Sequence, residues 1–117
     1  MKYMCLIYTA PELGPQSEQE MAETMPDWFA FNDKVAEAGQ LIAGDALQAV
    51  DTATTVRLRD GAAVTTDGPF AETKEHLGGY YLLECDNLDD AIARAAEIPA
   101  AAWGSIEVRP LMDLPQP

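Results

Sequence analysis

The chain is poor in basic residues and in the side chains that bind metals. Seven Lys and Arg stand against 20 Asp and Glu among 117 residues, which gives a formal net charge of −13. Because a surface of this sign repels phosphate groups, we expect neither a nucleic acid nor an anionic membrane as a partner. The one histidine, His76, with Glu72 and Glu75 would be a sparse metal set, because zinc sites use three or four nitrogen or sulfur ligands. Glycine-rich nucleotide loops and a nucleophile elbow are also absent, so the sequence predicts no metal and no cofactor.

Long apolar segments are missing as well. No window reaches the ~18 apolar residues that a membrane-spanning helix needs. The first residues also lack a basic region that leads into a long apolar stretch. Cys5 and Cys85 lie in apolar, strand-like runs, where a thiol typically behaves as a small buried hydrophobe. These features predict reduced, buried cysteines, a cytoplasmic location and no membrane partner.

The composition does supply enough apolar material for one core. Hydrophobic residues make up 48% of the chain and charged residues 23%, as in an ordinary globular protein rather than a disordered acidic tail. A chain of this size removes roughly two-thirds of its unfolded surface from water when it folds. We therefore expect residues 1–117 to form a single domain.

The spacing of apolar residues predicts six strands and two helices. The strands are expected at 2–9, 40–43, 54–59, 62–66, 80–85 and 105–109, and the helices are expected to begin at Ser17 and at Asp86 or Asn87. Ser17 with Glu20 matches a capping box, Gly39 ends the first helix, and Pro26 is expected to kink or restart it. Asp60-Gly61 supplies the positive backbone angles of a tight hairpin turn.

Each helix has a predicted inward face, and a charged connector is expected between the hairpin and the fifth strand. In the first helix the stripe comprises Met21, Met25, Trp28, Asn32 and Val35, and in the second Leu88, Ile92, Ala95 and Ala96. The connector runs from Ala71 to His76 and ends at Gly78-Gly79, where glycines interrupt the pattern.

The order of these elements predicts an α+β fold: a split βαβ pair with one antiparallel sheet, both helices on one face and an inserted hairpin. The strands at 2–9 and 80–85 carry apolar residues on both faces, yet two helices can cover only one. A second copy packed sheet against sheet would bury the other face, so we predict a homodimer through the open sheet face. The alternative is that the loops at 10–16 and 67–79 fold back over the sheet.

The segment Val64–Glu75, which contains Asp67-Gly68-Pro69-Phe70, resembles the signature of the YCII-related family in its DGPF-domain branch. The resemblance continues through Leu77–Tyr81 and extends to the opening Lys2–Met4, the strand at Thr54–Arg57 and the ending at Ile98–Pro110. It therefore covers nearly the whole chain. It implies a ferredoxin-like fold in the dimeric α/β-barrel group, which agrees with the architecture predicted from the strand pattern.

Members of the wider YCII group are suspected enzymes because of a His and Asp dyad, and this chain departs from it. The family's histidine lies in the first helix, where residues 20–31 contain none, and its aspartate occupies the place of Ile98. The dyad is therefore not carried over. Genes of the DGPF branch often lie beside those of extracytoplasmic-function sigma factors, which suggests by association a regulatory or accessory role.

Three candidate catalytic residues lie in the signature segment: Asp67, Glu72 and His76. Two carboxylates can divide acid and base roles when one of them is buried, and a histidine titrates near neutral pH. The structural alternative for Asp67 is a carboxylate that accepts hydrogen bonds from the amides of its own turn. For His76 the alternative is a solvated connector.

The candidate ligand-binding residues are Arg57, Lys74 and Arg109, since a guanidinium held on a strand suits a carboxylate or phosphate. The alternative is ion pairing with surface acids. We expect any pocket between the sheet and the first helix, near residues 67–79.

Two hypotheses about function follow. The first is a cytoplasmic homodimer that binds an anionic or polar metabolite through Arg57, Asp67, Glu72 and Lys74, with weak acid/base chemistry. The second is an accessory protein that docks to a regulator through its acidic surface. Neither hypothesis fixes a reaction, so the sequence leaves open whether the protein is an enzyme.

Overall fold

The computed structural model describes residues 1–117 as six strands and two α-helices. In chain order these are β1 (Lys2–Thr9), α1 (Glu18–Glu37), β2 (Leu41–Ala46), β3 (Thr54–Arg59), β4 (Ala62–Asp67), β5 (His76–Glu84), α2 (Leu88–Ala95) and β6 (Ser105–Pro110). Short 3₁₀ turns lie at Val50–Thr52 and Pro99–Ala102. No helix is both long enough and apolar enough to cross a membrane.

Four strands form one antiparallel sheet in the order β2-β5-β1-β6. Strands β3 and β4 pair only with each other and form a separate two-stranded ribbon, inserted between β2 and β5. This is the ferredoxin-like arrangement of a split βαβ pair, with the hairpin as an addition. The predicted α+β fold is confirmed.

The ends of α1 follow from local chemistry. The Ser17 hydroxyl accepts a hydrogen bond from the amide of Glu20, and Gly39 adopts a φ of 72° just past the helix. The sequence predicted a kink or a restart at Pro26; the helix does not restart, and α1 continues through Pro26 as a single 20-residue helix. A proline removes one backbone hydrogen bond, and the burial of Phe31 and Val35 holds the following turns in place.

Strand β5 begins at His76, four residues earlier than Tyr80, where the apolar run starts. The expected connector ending at Gly78-Gly79 is therefore wrong in its last residues: Gly79 pairs with Ile7, and His76 with Thr9. Pairing of main chains needs no apolar side chain, which is why the pattern missed these residues. A side chain at Gly79 would bring a Cβ within 2.9 Å of the Asp45 carbonyl oxygen, so β2 and β5 approach closely there.

One face of the sheet is buried beneath the helices. The core joins alternate residues of β1 and β5 to the inner faces of both helices: Tyr3, Cys5, Ile7, Tyr81 and Leu83 from the sheet, and Phe31, Val35, Ala91 and Ala95 from the helices. The Tyr81 ring meets Phe31 edge-on at 5.0 Å, and its hydroxyl donates a hydrogen bond to the Asn32 side chain.

The inner face of α2 matches the prediction at Ala95 and differs from it at the other three residues. Ala91 and Ala95 are buried, whereas Leu88 and Ile92 are 48% and 50% exposed and Ala96 is exposed. Small side chains let a helix approach the sheet closely, and the larger ones on this short helix lie to one side. Hydrophobicity alone therefore does not determine which apolar face of α2 packs against the sheet.

Both cysteines are free and buried, as predicted. Burial raises the pKa of the Cys5 thiol from 9.0 to about 11, with a further contribution from the charge of Cys85. The pKa of Cys85 is also raised, mainly by burial. Both thiols are therefore protonated and unreactive near neutral pH.

Candidate functional site

The second face of the sheet carries apolar residues that no helix covers. Side chains alternate along a strand, so the residues between the buried ones point away from the helices. They are Met4, Leu6 and Tyr8 of β1 and Tyr80 and Leu82 of β5, all partly exposed. The molecule is only 18 Å thick along its shortest axis, which fits one sheet and one layer of helices. We call these five residues the open sheet face.

The loops do not fold back over this face. Residues 73–75 reach one end of it, and Phe70 remains 81% exposed. The alternative that loops cover the sheet is therefore not what the structure shows. All five residues of the open sheet face remain partly exposed.

An open cleft of about 610 Å³ lies where residues 73–75 meet the end of the open sheet face. Three residues before β5 and four at the strand ends line it: Thr73, Lys74, Glu75, Tyr8, Ser105, Ile106 and Glu107. The register places Tyr8 opposite Ser105, on the side away from the helices. The cleft is thus near the predicted segment, but on the open side of the sheet instead of beside the first helix.

The charges in the cleft are unevenly compensated. Glu75 accepts a hydrogen bond of 3.0 Å from the Ser105 hydroxyl, and Glu107 forms an ion pair with Arg109. Lys74 has no carboxylate within 4.0 Å, although the chain contains 20 acidic residues. The Lys74 ammonium group and the Glu75 carboxylate are therefore the two charges in the cleft that no ion pair compensates.

Of the predicted ligand-binding residues, two lie on the side of the open sheet face or at its end, and one does not. Lys74 lines the cleft, and Arg109 is opposite Met4, two positions along β6 from Glu107. Arg57 lies in the ribbon, opposite Val64. For Arg109 the sequence allowed either ligand binding or an ion pair with a surface acid. The structure shows an ion pair with Glu107.

The predicted catalytic residues do not converge. Asp67 ends β4 opposite Thr54, so it points to the face of the ribbon opposite that of Arg57. Glu72 is exposed, and His76 is partly buried at the start of β5. No hydrogen bond joins these three side chains.

The turn after β4 is held by Gly68, not by the Asp67 carboxylate. The Gly68 amide donates to the Ala53 carbonyl at 2.7 Å, and the Thr55 hydroxyl donates to the Gly68 carbonyl at 2.8 Å. Gly68 has a φ of 93°, which is strained for any residue with a Cβ. The Asp-Gly-Pro-Phe segment therefore has a structural role, since hydrogen bonds to its main chain hold the connection between the ribbon and the sheet.

Two tyrosines of the open sheet face are not among the site residues predicted from the sequence. Tyr8 lines the cleft, and the Tyr80 hydroxyl donates a 2.6 Å hydrogen bond to Asp45. This hydrogen bond raises the pKa of Tyr80, with smaller contributions from burial and from the Asp45 charge. Met4, Leu6 and Tyr8 alternate along β1 with the buried residues. This alternation is the signal in the sequence that places Tyr8 on the open sheet face.

A second groove of about 730 Å³ runs between α1 and residues 96–103. Phe31 and Trp103 lie in its wall, and Lys34 at its edge pairs with Glu97 at 2.6 Å. Its lysine is compensated, unlike Lys74. Nowhere in the chain do three or more His, Cys, Asp or Glu side chains gather as a metal site would require.

Comparison with known sequences agrees with this architecture. The profile of the YCII-related domain matches residues 1–115. An uncharacterised protein of Rhizobium meliloti (strain 1021) is 40% identical over 114 residues, which is 95% of this chain and 92% of that protein. The chain therefore belongs to the YCII-related family.

Proposed function

We propose that the protein is a cytoplasmic homodimer, closed through the open sheet face, that binds a small carboxylate- or phosphate-bearing molecule beside Lys74. The observation that carries the binding proposal is an unpaired ammonium group in a cleft on this face. The homodimer and the ligand site rest on different observations, and a result that contradicts one of them leaves the other standing.

The dimer is supported by the chemistry of the open sheet face. Met4, Leu6 and Leu82 lie side by side on two central strands, with two tyrosines beside them. An apolar patch of this kind in a soluble domain marks an interaction surface. A second copy about a two-fold axis presents the same patch, so the two surfaces match without any further element.

The ligand class is supported by charge. Lys2, Arg57, Arg59 and Lys74 have no carboxylate within 4.0 Å, and Lys74 is the one of these four that lines the cleft. A carboxylate or phosphate would supply the missing counter-charge, and the Tyr8 side chain in the same cleft brings a hydroxyl that can donate a hydrogen bond. Packing of a second sheet over the cleft would exclude water and strengthen both contacts.

Thermal unfolding with a panel of small carboxylates and phosphates tests the ligand. A ligand at 100 times its Kd adds about 2.7 kcal/mol, a shift of several degrees for a domain of this size. Lys74→Ala should abolish the shift. Lys34→Ala is the matched control, because it removes a lysine on the helix side and breaks only a surface ion pair.

Two results would contradict the binding proposal. One is a panel in which no acid or phosphate raises the unfolding temperature of the wild-type protein. The other is a shift that survives Lys74→Ala unchanged, which would place the ligand elsewhere. Neither result bears on the dimer, which is measured by sedimentation.

A further inference from the structure

The cleft beside residues 73–75 holds an unpaired negative charge as well as the unpaired lysine. Glu75 lines the cleft, and no basic group lies within 4.0 Å of its carboxylate. One hydrogen bond reaches this carboxylate, from the Ser105 hydroxyl at 3.0 Å. Because an ionised carboxylate can accept about four hydrogen bonds, Glu75 has room for further donors.

The second acid in the cleft is also short of donors. Glu107 forms an ion pair with the Arg109 guanidinium, yet its Oε2 atom is shielded from water and accepts no hydrogen bond. A plain carboxylate or phosphate ligand would bring acceptors and place more negative charge beside the two glutamates. A ligand ammonium group would instead bring three donors and a positive charge.

Hydrogen bonds within the protomer hold Glu75 in place. The Thr73 hydroxyl donates to the main-chain carbonyl of Glu75 at 2.5 Å, and the Ser105 hydroxyl donates to its side chain. The carboxylate is therefore positioned before a ligand arrives, which lowers the entropy lost on binding. The Lys74 ammonium group lies more than 4.0 Å from this carboxylate, so the cleft presents one cation and one anion that do not compensate each other.

We propose that the ligand of this cleft is a zwitterion of the amino-acid type, whose carboxylate pairs with Lys74 and whose ammonium group pairs with Glu75. This rests on the proposed ligand site beside Lys74 and narrows its ligand class. An α-amino acid carries both groups on one carbon, so a single small molecule supplies both counter-charges.

Two electrostatic effects favour a zwitterion over a simple anion. Its net charge is zero, so the protein's net charge of −13 does not repel it at long range as it repels a free anion. In a dimer that covers the cleft, a Glu75 carboxylate without a counter-charge would be costly to remove from water. The ligand ammonium group supplies that counter-charge.

Matched ligands test the role of the amino group. Amino acids with different side chains are each compared with the carboxylate that lacks the amino group and with the amine that lacks the carboxylate. Alanine, propanoate and ethylamine form one such set. Isothermal titration calorimetry should find an amino acid whose Kd is about tenfold or more below that of its matched carboxylate, the effect of one charge-assisted hydrogen bond. The matched amine should also bind more weakly than the amino acid.

A pair of substitutions tests the role of Glu75. Glu75→Gln keeps an acceptor for the Ser105 hydroxyl but removes the charge, so the Kd of the amino acid should rise about tenfold while the matched carboxylate binds no more weakly than before. Glu23→Gln is the matched control, because it makes the same change of net charge at an exposed position of α1. It should leave both Kd values unchanged. Circular dichroism confirms that each variant stays folded.

The outcomes separate this inference from the proposed function. If carboxylates bind through Lys74 and an amino group adds no affinity, the zwitterion is wrong and the site for acids stands. The same conclusion follows if Glu75→Gln and Glu23→Gln change the Kd of the amino acid equally. If no amino acid, carboxylate or phosphate binds, or if binding survives Lys74→Ala unchanged, the ligand site and the zwitterion are both overturned.

Discussion

Replacement of Leu6 by alanine should weaken the dimer far more than it weakens the protomer. Leu6 lies on the open sheet face between its register partners Tyr80 and Glu107. Full burial of a leucine contributes about 1.5–3 kcal/mol. Part of this is already gained in the protomer, where Leu6 is only partly exposed, so about 1 kcal/mol remains for each copy.

The substitution acts twice in a two-fold dimer, which gives a loss of about 2 kcal/mol, or a Kd roughly 30-fold higher. Sedimentation velocity at graded dilution measures it. Leu83→Ala is the control on the opposite face of the same sheet, where the side chain is fully buried. It should lower the free energy of unfolding by about 2–5 kcal/mol and leave the dimer Kd unchanged.

The reasoning fails if Leu6→Ala and wild type dissociate at the same concentration while Leu83→Ala lowers stability as expected. In that case the open sheet face is not the dimer contact. It fails equally if the wild-type protein sediments as a monomer at every concentration.

Three further predictions concern the fold. The pKa of Cys5 is raised to about 11 in the folded state, so as the pH rises the unfolded chain loses this proton before the folded protein does. The contribution of Cys5 to the free energy of unfolding is therefore fully present below pH 9. It should fall by roughly 2–3 kcal/mol as the pH rises to about 11. Urea unfolding at each pH checks this, and Cys5→Ala should show a shallower decline; an equally steep one would assign the loss to other groups. Tyr81→Phe keeps the ring contact with Phe31 but removes the hydroxyl donor to Asn32, so it should cost about 1 kcal/mol in urea unfolding, and a change below 0.3 kcal/mol would argue against that hydrogen bond. Ser17→Ala should cost ~1 kcal/mol through loss of the cap, whereas Ser17→Asp should preserve stability.

The strand pattern predicted the topology because burial and turn chemistry agree in this chain. The eight residues of β1 alternate between a buried side and an open side, and Asp60-Gly61 places the hairpin turn without ambiguity. Each of these local signals permits a single structure, so the prediction from it is correct. The start of β5 was missed because glycines and a histidine pair through their main chain alone.

The candidate site was less predictable, since it depends on how separate segments meet. Lys74 was singled out as a scarce base, but its position beside Tyr8 and Ser105 follows from the path of residues 73–75 across the strand ends. Asp67 and Arg57 sit close in the hairpin, yet they point to opposite faces, which depends on strand register and not on composition. Of the segment 67–79 that the sequence singles out, only residues 73–75 line the cleft.

The close contact between Trp103 and Gly14 has a practical consequence for spectroscopy. A Cβ at Gly14 would lie 2.6 Å from the indole nitrogen, so the loop backbone rests directly against the ring. Displacement of that loop would change the polarity around the indole and shift its fluorescence emission. Because the chain has only two tryptophans, Trp28→Phe would leave Trp103 as a single intrinsic probe at the junction of loop and sheet.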